Sequence, residues 1–147
     1  AALKATGLPA IADDSGICVD ALNGMPGVLS ARWSGPSKDN HANNVLLLGQ
    51  LEDVPDERRG ASFVAAVAFV RPDGAGDIAE EIVLGEMRGS VIRELRGTGG
   101  FGYDVLFQAE GYDRTTAELS VDEKDAISHR GKALRTLAPI VAKALRS

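Results

Sequence analysis

At 147 residues, with 44% apolar and 25% charged residues, the chain has the composition of one globular domain with a sizeable core. Its 21 acidic residues outnumber 16 basic ones, which lie scattered, so a nucleic-acid backbone is excluded as a partner. The single cysteine, Cys18, rules out an internal disulfide and favours a cytoplasmic location, and no apolar run reaches membrane-spanning length.

The chain opens on residues 1–7, which read as the last turns of a helix ended by Gly7. Since this helix has no N-cap, we expect further sequence before it. Next, residues 11–12 and 17–19 are apolar and flank Asp-Asp-Ser-Gly, a pattern that predicts a strand, a turn and a second strand. The adjacent carboxylates of Asp13 and Asp14 repel unless a cation is near, which suits Mg²⁺, whereas Asp before Ser-Gly is also common in plain turns. Both interpretations stay open at this point.

The middle of the chain alternates helical and extended patterns. Residues 24–35 predict a glycine-rich loop, and 39–51 an amphipathic helix with Val45, Leu48 and Leu51 inward and His41 exposed. The apolar run 61–70 predicts a central strand. We expect a turn at 72–74, two further strands at 78–84 and 86–92, and a short strand at 105–107.

Two helices are predicted near the C-terminus. Ser120 and Glu123 form a capping box, so a helix begins at Val121 and carries Lys124 in its second turn. After a break near Ser128, a last helix spans residues 130–145 with Leu134, Leu137, Val141 and Leu145 inward, although Pro139 should end or kink it. Helices and strands without βαβ alternation predict an α/β fold with a mixed sheet.

The most unusual stretch is Gly97–Asp104, in which four of eight residues are glycine and Phe101 and Tyr103 supply aromatic rings. Such a loop can approach a flat ligand closely, but it is also typical of a tight hairpin whose rings join the core. Taken with Asp13-Asp14-Ser15 and with Lys124, His129 and Arg130, it supplies what a nucleotide site needs. These are a metal-binding carboxylate, an aromatic platform, and donors for phosphate and a base edge.

These motifs resemble those of the inosine/xanthosine triphosphate pyrophosphatases, which remove deaminated purine nucleotides. The matching segments follow in order over the whole chain and are Ala12–Gly16, Gly27 with Ser30–Arg32, Gly97–Asp104, Ala117–Ser120, and Lys124 with Ser128–Leu134. The resemblance implies a homodimeric α/β enzyme, with an elongated mixed sheet and two lobes around a cleft. It would hydrolyse ITP, dITP or XTP to the monophosphate and pyrophosphate with Mg²⁺.

Site residues follow from the same resemblance. Asp14 matches the family's proton acceptor and metal ligand, and Asp13 lies beside it in the metal motif. The positions that match substrate contacts are Ser15, Phe101, Gly102, Tyr103, Asp104, Lys124, His129 and Arg130. We expect the acids at one end of the cleft, at the triphosphate. Arg130 and His129 at the other end would donate to the 6-keto oxygen and N7 of the purine, where the 6-amino group of adenine would oppose them.

Two features depart from the family pattern. The expected preceding segment, with a phosphate-binding loop and a metal-binding glutamate, is not in this sequence, so the 147 residues read as one N-terminally truncated domain. Val105 also stands where proline is usual. Two alternatives therefore remain, namely a nucleotide-binding fragment with impaired catalysis and a phosphatase that uses Asp13 or Asp14 as a covalent nucleophile.

Overall fold

A computed structural model describes residues 10–72, 78–100 and 102–146. The predicted first helix, most of the turn at 72–74 and the ring of Phe101 lie outside these ranges. Within them, no helix is long and apolar enough to cross a membrane. The strands are β1 Ala10–Val19, β2 Met25–Pro26, β3 Gly60–Pro72, β4 Ile78–Val91 and β5 Phe107–Ala109, and the helices are α1 Asn40–Gln50, α2 Val121–Ile127 and α3 His129–Arg146.

The α/β class is confirmed, and β3 is the central strand, as its apolar run predicts. The five described strands form one sheet in the order β2-β1-β3-β4-β5, and every pairing is antiparallel where a mixed sheet was expected. Two predicted breaks are wrong. β1 continues through Asp13–Gly16 because each of these residues pairs with β3, and β4 continues through Gly85 for the same reason.

One face of the sheet carries two apolar cores. The first includes Ile17 of β1, Phe63 of β3 and Leu47 of α1, and the second joins Val67 and Phe69 of β3 to α3. Because α3 lies along the sheet on both sides of Pro139, that residue is accommodated inside the helix and does not end it. The start of α3 lies beside the boundary between the two cores, which is where the cavity described below opens.

Three predictions from the sequence are wrong. Two concern the burial of helix residues, and one concerns a short strand. Val45 and Leu134 are 50% and 42% exposed, because the buried faces of their helices are occupied by Asn43, Asn44 and Leu47 in α1 and by Ala133 and Leu137 in α3. The predicted strand at 105–107 is instead the end of a 3-10 helix, Gly102–Leu106, followed by β5.

Candidate functional site

A single cavity of about 570 Å³ collects most residues that the sequence singled out. Its lining includes Asp13, Asp14, Ser15, Gly102, Tyr103, Asp104, Lys124, His129 and Arg130, contributed by β1, the 3-10 helix, α2 and the first turn of α3. Residues up to 117 positions apart in sequence thus line the same cavity. Of the predicted site residues, Phe101 alone lies outside the described residues.

The sequence led us to expect the acidic pair at the opposite end of the cleft from the basic residues. The structure does not have this arrangement. Arg130 Nε lies 2.6 Å from Asp13 Oδ2, so the two ends of the expected site are in contact. Since β1 is continuous, the side chains of Asp13 and Asp14 alternate between its faces, and this alternation separates the two carboxylates. Asp14 is exposed and makes no ion pair or hydrogen bond within the described ranges.

Ser30 links strand β1 to Tyr103. Its hydroxyl accepts a hydrogen bond from the backbone N–H of Ile17 at 2.9 Å and donates to the carbonyl of Gly27 at 2.7 Å. Its own carbonyl accepts from the hydroxyl of Tyr103 at 2.7 Å. These hydrogen bonds hold strand β1 and Tyr103 in a fixed position relative to each other at the cavity.

Tyr103 is a core residue that only borders the cavity. It is 5% exposed, packs in the first core, and burial raises the pKa of its hydroxyl to about 12. The alternative that an aromatic of this loop joins the core is therefore correct for Tyr103, although its segment is a 3-10 helix and not a hairpin.

Asp104 is a nearly enclosed carboxylate, 4% exposed, with a donor on each oxygen. Thr116 Oγ1 donates to Oδ1 at 2.7 Å, and the ammonium group of Lys124 pairs with Oδ2. Gly100, at φ +65°, lies over this carboxylate so closely that a β-carbon there would be 2.2 Å from Oδ2. Gly100 thus permits the loop backbone to lie against Asp104.

Lys124 is placed by the capping box that the sequence predicted. Ser120 Oγ accepts from the Glu123 N–H at 3.1 Å, and Glu123 Oε1 accepts from the Ser120 N–H at 3.0 Å. Glu123 also pairs with Arg114 at 2.8 Å, and this hydrogen bond is the main reason that the pKa of Glu123 falls to about 2. Because the cap fixes the start of α2 at Val121, the next turn of the helix places Lys124 beside Asp104.

His129 lies at the start of α3 with its ring stacked on Phe63, with ring centroids 5.0 Å apart and an angle of 16° between the planes. Burial is the main cause that lowers its pKa to about 4, and Asp104 opposes that shift while Lys124, Arg130 and Lys132 add to it. The imidazole is therefore uncharged at neutral pH.

This site could supply a divalent cation with only one or two protein ligands. No group of three or more His, Cys, Asp or Glu residues suited to a metal occurs in the described part of the chain. Mg²⁺ often takes one or two carboxylates and fills its other positions with water and substrate phosphates. Asp14 meets that requirement, whereas Asp13 is engaged by Arg130.

Among the cavity-lining residues that the sequence did not assign to the site are Ser30, Phe63 and Thr116. Ser30 lay in a quoted motif and Thr116 directly preceded another, so position beside a motif was an available signal. Phe63 had none, because an apolar residue in a central strand looks the same whether or not a ligand site borders it.

Comparison with known proteins places these residues in context. The sequence profile of the Ham1 family matches residues 1–140. A dITP/XTP pyrophosphatase of Nocardia farcinica is 62% identical over 138 residues, covering 94% of this chain and 65% of that protein. Another, of Mycobacterium tuberculosis, is 60% identical over 146 residues, covering 99% of this chain and 67% of that protein.

Solved structures match as well. The crystal structure of a nucleoside-triphosphatase / dITP/XTP pyrophosphatase from Mycobacterium abscessus has a TM-score of 0.80 at 56% identity, over 95% of this chain and 69% of that one. The Staphylococcus aureus Ham1 protein has a TM-score of 0.88 at 37% identity, over 96% and 70%. The chain thus spans about two thirds of the length of these relatives.

Proposed function

Because the chain belongs to the Ham1 family, we propose that it hydrolyses non-standard purine nucleoside triphosphates such as ITP, dITP and XTP to the monophosphate and pyrophosphate. Such an activity would clear deaminated purines from the nucleotide pool. The observation that carries the proposal is the shared cavity, which joins Asp14, the Asp104–Lys124 pair and the donors His129 and Arg130.

Hydrolysis of the bond between the α- and β-phosphates adds the oxygen of one water to phosphorus and releases pyrophosphate. The attacking water must lose a proton, and Asp14, an exposed residue of the cavity lining, is the carboxylate that we assign to accept it. Lys124 carries positive charge at the same cavity and can offset charge that develops on the phosphate oxygens. Positioning and electrostatics of this kind supply most of the catalysis in phosphoryl transfer.

We propose Mg²⁺ as the cofactor, with Asp14 as its protein ligand. When bound, the ion would neutralise triphosphate charge, which a chain with a formal charge of −5 needs. The distance between Asp13 and Arg130 supports giving the metal role to Asp14 and a positioning role to Asp13.

Selection of the base would rest on donors that face a 6-keto oxygen. Uncharged His129 offers one N–H, and the guanidinium of Arg130 offers several, so both suit O6 and N7 of hypoxanthine or xanthine. A 6-amino group would leave such a donor unpaired, at a cost of about 1 to 3 kcal/mol per group. Guanine shares O6 and N7, so its rejection must depend on its 2-amino group.

The proposal is tested by measuring pyrophosphate release from ITP, dITP, XTP, GTP and ATP with and without Mg²⁺, on protein that includes any sequence encoded upstream of Ala1. We expect pyrophosphate as the first product, ITP well ahead of ATP, and no turnover without the metal. Orthophosphate as first product would favour the aspartyl phosphatase, and binding of ITP without turnover would favour a nucleotide-binding fragment. Homodimer formation, which the resemblance implies, is a separate prediction for light scattering.

A further inference from the structure

We propose that Phe63 is a positioning residue of this site, whose ring holds the imidazole of His129 in the orientation that meets the purine. The effect on purine binding rests on the proposed function, whereas the contact between Phe63 and His129 is present without substrate.

Phe63 is fixed independently of His129. It lies on the central strand β3, is 8% exposed, and packs edge to face on Phe107 with centroids 4.6 Å apart. It also stacks nearly parallel on the ring of His129, and both residues line the cavity. Because the core holds Phe63, the stack transmits that rigidity to the imidazole.

Among the described residues, none forms a hydrogen bond that orients His129. A functional imidazole is usually oriented by a partner on its second nitrogen. Here Nδ1 is buried and makes no hydrogen bond within the described ranges. The stack on Phe63 is therefore the contact that sets the plane of the ring.

Burial of the ring, to which the stack on Phe63 contributes, also decides what the imidazole presents to a ligand. Removal of solvent by burial keeps the ring uncharged, against Asp104, which favours the charged form, and together with Lys124, Arg130 and Lys132, which disfavour it. An uncharged imidazole has one N–H. Since Nδ1 is buried and has no acceptor within the described part of the chain, the proton is expected on Nε2, where it can donate to a keto oxygen.

The test uses the fact that the chain has two histidines. His41→Gln at the exposed start of α1 leaves His129 as the single imidazole for proton NMR. In this background Phe63→Leu should abolish the ring-current shift of the His129 ring protons and raise the pH midpoint of their titration. Phe63→Tyr, which keeps the ring, should preserve both. Phe69→Leu, a matched loss on the same strand in the second core, should change neither.

Kinetics supply the functional half of the test. We expect Phe63→Leu to raise KM for ITP about fivefold with kcat nearly unchanged, which is the size of effect expected for one misdirected hydrogen bond. KM for ATP should not change. Unchanged His129 signals in Phe63→Leu, or equal effects of Phe69→Leu, would overturn the inference. If the unsubstituted protein fails to hydrolyse ITP, the proposed function falls, while the NMR comparison still decides whether Phe63 orients His129.

Discussion

A β-carbon on Gly85 would lie 1.9 Å from the carbonyl oxygen of His129, so the first turn of α3 rests directly on the backbone of β4. No side chain can be inserted there without moving helix or strand. The position of His129 and Arg130 at the cavity therefore depends on a glycine of β4 that lies against the backbone of their helix turn. Phe63 sets the ring of His129, and Gly85 sets its backbone.

Gly85→Ala is expected to displace the start of α3, lower the free energy of unfolding by about 1 to 3 kcal/mol, and reduce kcat/KM for ITP. Denaturant titration and steady-state kinetics measure the two effects. Gly49→Ala in α1 is the control, because a β-carbon there meets nothing within 4 Å. That change should stabilise the helix by up to about 1 kcal/mol and leave activity unaltered. Full activity in Gly85→Ala would refute the positioning argument.

Asp14→Asn is expected to lower kcat by roughly 10²- to 10⁴-fold, because the amide cannot accept the proton of the attacking water. The side chain is exposed and makes no ion pair in the described ranges, so the melting temperature should stay within a few degrees. Pyrophosphate release and thermal melting check both parts. Near-normal turnover would remove Asp14 from the catalytic role.

Arg130→Ala should erode the preference for ITP over ATP by about ten- to a hundredfold, because a donor to the 6-keto oxygen is lost. Asp13→Asn should weaken that preference in the same direction, since Asp13 holds the guanidinium. The double substitution should be no worse than Arg130→Ala alone.

A second exposed ion pair provides the control for this cycle. Asp20 pairs with Arg88 at 3.1 Å, and neither residue lines the cavity. Asp20→Asn should leave selectivity unchanged. Additive losses from Asp13→Asn and Arg130→Ala would show that the two side chains act separately.

Thr116→Val should disturb the cavity through Asp104, whose Oδ1 would lose the hydroxyl that donates to it at 2.7 Å. Because a buried carboxylate is left short of a partner, we expect a loss of about 1 to 3 kcal/mol in unfolding free energy and weaker binding of IMP by calorimetry. Thr116→Ser keeps the hydroxyl and should retain IMP affinity. Equal affinities of the Val and Ser variants would contradict this role.

Acid should weaken the fold through Glu123. Its pKa is about 2 in the folded protein against an ordinary value of 4.5, so its contribution is complete above about pH 4.5 and is lost as the pH falls towards 2. Unfolding by urea across this window should show the loss. Glu123→Gln keeps an oxygen for the cap but no charge for Arg114, so its stability should depend less on pH there. An identical pH profile in both proteins would exclude Glu123 as the cause.

The positions of several elements were readable from local chemistry. The capping box at Ser120 and Glu123 and the apolar run of β3 specify their elements through neighbours within a few residues. The breaks predicted at Asp13–Gly16 and at Gly85 failed, because ten residue pairs between β1 and β3 and thirteen between β3 and β4 outweigh the turn propensity of a few residues.

By itself the sequence determined the set of side chains for the chemistry and the class of fold, since both depend on residue type and short-range pattern. Only the tertiary structure decided that Arg130 contacts Asp13, that Tyr103 joins the core, and that Phe63 and Gly85 place His129. Each of these contacts joins residues at least 44 positions apart, or depends on which face of a strand is buried. Such distances are fixed by packing of the whole chain and leave no trace in the local order of residues.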